Sequence, residues 1–108
     1  MSGHLVEILL PLDYGDGTPV PTPVFTLIKE ELAERFGGVT AYSRTPAEGL
    51  WKDNDNLERD RITVWEVMTG KLDEDWWRSF RKRLEDLLRQ EQVLIRATAV
   101  QTFSDPSG

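Results

Sequence analysis

The chain has 108 residues and is acidic, with 19 aspartates and glutamates against 13 lysines and arginines, a net charge of −6. With 39% apolar and 30% charged residues it has the composition of one folded domain, long enough to bury a core. It contains no cysteine, which excludes disulfides, thiolate metal sites and thiol nucleophiles, and its negative charge weighs against nucleic acid and anionic membrane surfaces.

No apolar run approaches the roughly 18 residues of a membrane-spanning helix. The opening MSGH lacks a basic flank and long apolar segment, so the expectation is a cytoplasmic protein with no secretory signal. The domain is expected over residues 1–103, with SDPSG at 104–108 as a frayed tail.

HLVEILLPL, residues 4–12, is short, apolar and partly alternating, which predicts a first strand. DYGDGTPVP (13–21) is turn chemistry throughout. Thr22 followed by Pro23 predicts a helix start, with the threonine hydroxyl as cap. Phe25, Ile28, Leu32 and Phe36 recur at helical spacing, and Gly37 and Gly38 end the helix. VTAYSR (39–44) predicts a second strand, placed at an edge because Pro46 follows. KDNDN (52–56) predicts the turn of a long hairpin, and RITVWEVM (61–68) a third strand. Asp73 is placed to cap a helix from about Glu74 to Arg89, with Trp77, Phe80, Leu84, Leu87 and Leu88 on its apolar stripe. QVLIRATAVQTF (92–103), rich in β-branched residues, predicts the fourth strand.

The expected order is therefore β-α-β-β-α-β. Two helices on one face of a four-stranded antiparallel sheet, in spatial order 4-1-3-2, make a ferredoxin-like α+β fold. Alternation along the strands then divides the residues between two faces. Val6, Ile8 and Leu10 face the helices, and so does Trp65, because a tryptophan is easier to house there than a glutamate. Glu7 and Glu66 consequently point to the open face. Leu5, Leu9, Ile62, Val64, Met68, Leu94 and Val100 surround them, with Arg96 on strand four and Tyr42 and Arg44 on strand two. A face this apolar calls for cover, and a second subunit stacked sheet on sheet is the simplest cover. Arg96 is expected to pair with Glu7, while Glu66 lacks an obvious partner unless Arg44 reaches it.

Two readings of the glutamates follow. In one they are structural ion-pair members of a homodimer interface. In the other Glu66 is an acid/base in a pocket that also draws on Glu7, Tyr42, Arg44, Trp65 and Arg96 to bind a small molecule, the arginines holding an anionic group. No metal site and no cofactor is expected. DNDNLE (53–58) lacks the glycine and the twelfth-position acid of a calcium loop. The basic residues of WWRSFRKRLEDLLR have acidic neighbours at helical spacing and read as a solvated face. Strand one carries no aromatic on which a base could stack, which argues against an RNA-recognition module. Trp77 reads as core, Trp76 as closing a pocket or meeting the hairpin, Trp51 as covering the helix ends or the partner subunit, and Ser43 and Ser79 have no histidine to complete a triad.

The element order and apolar open face resemble the dimeric α+β-barrel group, in which two such sheets stack face to face. EGLWKD (48–53) and LRQEQVLIRATAV (88–100) resemble parts of an uncharacterised family of small bacterial proteins. The barrel resemblance implies a homodimer and a class that spans cofactor-free monooxygenases, haem-degrading enzymes, small-ring isomerases and plain ligand-binding modules. The haem-degrading members need an axial histidine, and His4 at the start of strand one is poorly placed for it. A non-catalytic assembly module is the alternative function.

Overall fold

The computed structural model describes residues 2–44 and 61–103. In chain order the elements are β1 (Ser2–Pro11), α1 (Thr22–Phe36), β2 (Thr40–Arg44), β3 (Ile62–Thr69), α2 (Glu74–Leu88) and β4 (Leu94–Gln101). The fold is α+β: the strands form one antiparallel sheet in the order β2-β3-β1-β4. The hairpin tip expected at 52–56, Pro46, Trp51 and the tail at 104–108 lie outside the described residues.

Each helix ends where its local chemistry requires. Asp73 caps α2, its carboxylate accepting the Trp76 N–H at 3.1 Å. α1 departs from expectation: Thr22 is already helical, Pro21 occupies the cap position, and no side chain caps that end. Gly37, at φ 81°, closes α1 in the left-handed region and donates to the Ala33 carbonyl at 2.8 Å. At the same place on α2 stands Arg89, at φ 53°, and its guanidinium lies 4.5 Å from the centre of the Tyr14 ring. The fourth strand is shorter than expected, because Val93 turns its N–H to the Glu85 carboxylate, 3.0 Å away, before the ladder begins.

The core lies between the sheet and the helices. β1 contributes Val6, Ile8 and Leu10, β3 contributes Trp65 and Val67, α1 contributes Ile28 and Leu32, and α2 contributes Trp77, Phe80, Leu84 and Leu88. Leu87, expected on the same stripe, is instead exposed, since it falls on the flank of the helix turned away from the sheet. Trp76 extends this core as packing. Its ring lies 4.8 Å from those of Trp77 and Phe80 and 5.2 Å from that of Phe36.

The long β1–α1 connection is tied down by ordinary polar chemistry. Arg61 donates two hydrogen bonds to the Asp13 carboxylate, at 2.6 and 2.9 Å, while Leu12 donates its N–H to the Arg61 carbonyl. Asp16 accepts from both the N–H and the hydroxyl of Thr18, and Gly17, at φ 90°, supplies the left-handed turn residue between them.

Candidate functional site

β1 is central in the sheet, and its register sets the site. Glu7 faces Glu66 of β3 on one side and Arg96 of β4 on the other, while Glu66 in turn faces Thr40 of β2. Thr40, Glu66, Glu7 and Arg96 therefore form one row across all four strands, on the face away from the helices. The apolar residues in register above and below this row are Leu5, Leu9, Val64, Met68, Leu94 and Val100. Met68 and Leu94 are about half exposed, at 48% and 52%.

The charges in the row are unequal. Arg96 donates through Nε to Glu7 Oε1 at 2.9 Å, as expected from the sequence. The arginine side chain keeps 57% of its exposure and the glutamate 21%, so the pair is a partly solvated one, worth about 1 kcal/mol or less. Glu66 has no hydrogen-bond or ion-pair partner among the described residues. Its nearest neighbour across the ladder is another carboxylate, and directly opposed like charges destabilise a sheet. The row thus holds two carboxylates and one guanidinium.

Tyr42 and Arg44 occupy register positions opposite Val64 and Ile62. Trp65 does not join the site. It is 5% exposed, with its ring 6.2 Å from that of Phe25 in the core, because it alternates with Glu66 and so faces the helices. Thr40 is the row member that sequence reasoning missed. The β2–β3 register depends on a long connection, and no tight turn allows it to be counted from the sequence. His4 sits within β1 and its Nδ1 lies 2.8 Å from the Gly70 carbonyl, so it ties the strand end to the β3–α2 turn.

A second concavity, of about 170 Å³, lies on the other face of the sheet, between α2 and β4. Val6, Leu72, Trp77, Ile95 and Ala97 line it with apolar side chains, and Glu74, Arg78, Arg81 and Arg96 line it as well. Ala97 and Ala99, although they belong to the row of Val6 and His4, are exposed on this side.

Fold and site together define a small α+β protein with an unbalanced acidic row on the sheet face turned away from its helices. No family model matches the chain, and no curated protein matches it in sequence. Among solved structures it is similar to a phage SAM lyase determined in complex with S-methyl-5'-thioadenosine. The TM-score is 0.55 at 15% identity, over 89% of this chain and 80% of that one. At that identity the likeness is one of fold. Among the described residues no helix is long and apolar enough to cross a membrane.

Proposed function

We propose that this is a small-molecule-binding protein, or a cofactor-independent enzyme, whose site is the open sheet face around Glu66, covered by a second copy of the chain. In this reading the fold is ferredoxin-like and the assembly is that of the dimeric α+β-barrel group. The observation that carries it is the surplus carboxylate: Glu7 has its guanidinium, and Glu66 has no partner among the described residues. A half-buried carboxylate beside another carboxylate gains most from a cation, so the favoured ligand is a cationic small molecule. The fold neighbour acts on SAM, and SAM carries a sulfonium cation, which makes it the first compound to try. If the protein is an enzyme, Glu66 is the group that touches the reacting atoms.

Thermal unfolding in the presence of SAM, of S-methyl-5'-thioadenosine and of a panel of small cations tests this. Binding at a hundred times Kd stabilises by about 2.7 kcal/mol, enough to move the unfolding midpoint by several degrees. The expected result is a shift with a cationic compound that Glu66→Gln abolishes while its own midpoint stays put. A flat response across the panel removes the binding reading.

One observation favours the second reading, a non-catalytic homodimeric assembly module. Met68 and Leu94 leave much apolar surface on the same face as the paired Glu7 and Arg96. In that case Met68→Glu separates the copies, and no small molecule changes the unfolding midpoint of either form.

A further inference from the structure

Among the described residues, the outer edge of β4 has few of the devices that keep a sheet edge single. β4 runs for eight residues, Leu94–Gln101, with no proline and one charge, and six of its eight residues are exposed. Such an edge offers a row of backbone donors and acceptors to another strand. Just beyond it stands Phe103, 89% exposed, and beside it lies the notch in which Leu72, Trp77, Ile95 and Ala97 meet Glu74, Arg78, Arg81 and Arg96. An aromatic without a seat and a seat without an aromatic sit at opposite ends of the same strand.

We propose that β4 pairs with β4 of a second copy, antiparallel about a twofold axis normal to the sheet, with Ala99 facing its own counterpart. Such an axis keeps both helical layers on one side, so facing residues must come from the same row. Ala97, Ala99 and Ile95 belong to the row of Val6 and Ile8, and Phe103 continues it by parity. Centring on Ala99 sets Ala97 opposite Gln101, Arg96 opposite Thr102 and Ile95 opposite Phe103. Each Phe103 then lies over the partner's notch, against the side chains of Arg78 and Arg81 that line it. The one charged residue of β4 meets a threonine rather than its own copy. The exposed alanines leave room for the partner's aromatic because no helix covers them. The twofold uses both complementary features twice, whereas head-to-tail pairing of β4 with the β2 edge uses neither. This edge is separate from the open face of the previous section, and either contact can stand without the other.

The test is a charge exchange at the axis, read as solution mass by sedimentation equilibrium on the full chain. Ala99→Lys and Ala99→Asp each place like charges directly opposite each other across the axis. Each is expected to halve the mass, or to raise the dissociation constant at least tenfold, with an unchanged circular dichroism spectrum. Mixed in equal amounts, the two variants are expected to reassemble. Phe103→Ser, which lies outside the strand and in no core, is expected to weaken assembly at least tenfold with an unaltered unfolding midpoint, and it decides the matter should either Ala99 variant fail to fold. Wild-type mass retained in both Ala99 variants overturns the proposal. So does a mixture that behaves as the average of its components, which is the outcome for head-to-tail pairing.

Discussion

The two faces of the sheet are made by the same strands, one residue apart, and they differ in almost every physical respect. On the helix side, Val6, Ile8 and Leu10 are sealed beneath Phe80, Leu84 and Leu88. On the open side, Leu5, Glu7 and Leu9 alternate with them and are only half buried. The first face is closed by the chain itself and owes its stability to area removed from water. The second has neither described helix against it, and it is the face that holds charge. A single strand such as β1 therefore carries the core and the candidate site at once, divided by parity alone.

The largest effect expected from breaking this division is on the closed side. Phe80→Ala removes a ring that is 1% exposed and stacked on Trp76, and is expected to cost about 3–5 kcal/mol in denaturant unfolding. The comparable truncation on the open side, Met68→Ala, is expected to cost the isolated chain under about 1 kcal/mol, since that side chain is already half exposed. Equal costs would mean that the faces do not differ in the way described.

A smaller effect separates the two glutamates. Arg96→Ala leaves Glu7 facing Glu66 with no cation between the strands, and is expected to destabilise by about 1 kcal/mol or less, the discount reflecting the exposure of the pair. Glu66→Gln in the same background is expected to recover part of that loss, because it removes the opposing charge. In the wild-type background Glu66→Gln is expected to change stability by no more than a few tenths of a kcal/mol, in the stabilising direction. A double-mutant cycle without coupling between positions 66 and 96 contradicts a shared electrostatic row.

Much of this division was legible in the sequence, and the reason is periodicity. The alternation of LVEILL and of TVWEVM placed Glu7, Glu66 and Trp65 on their faces, and Arg96 followed from the expected neighbouring of the first and fourth strands. Turn and cap chemistry likewise located Gly37 and Asp73 as helix boundaries. What the sequence does not carry is register across distant strands, which is why Thr40 cannot be read beside Glu66; grouping Trp65 with the site instead runs against its own parity, which already turns it to the helices. Nor does it carry how far the helices reach across the sheet: Ala97 and Ala99 are exposed although they share the row of Val6, and helix placement is set by side-chain interdigitation rather than by any one segment.

The smallest effect concerns the rim that anchors the β1–α1 connection to the start of β3. Asp13 is held below its ordinary value of 3.8 chiefly by the hydrogen bond from Arg61, and Asp16 likewise by the hydrogen bonds from Thr18. A carboxylate depressed on folding binds fewer protons in the native chain than in the unfolded one. Its contribution is therefore complete above pH 3.8 and is lost as the pH falls through the lower folded value. Asp13→Asn is expected to flatten the acid limb of the stability curve below about pH 4 and to leave the curve near neutrality displaced by a constant small amount. Asp16 is exposed and Asp13 partly so, which lets salt weaken the effect. Unfolding midpoints between pH 2 and 5, for wild type and Asp13→Asn at low and high ionic strength, measure it. An acid limb unchanged by the substitution would assign the acid sensitivity to other carboxylates, and Asp16→Asn then becomes the next position to test, since the two share the connection that leads from the open face into α1.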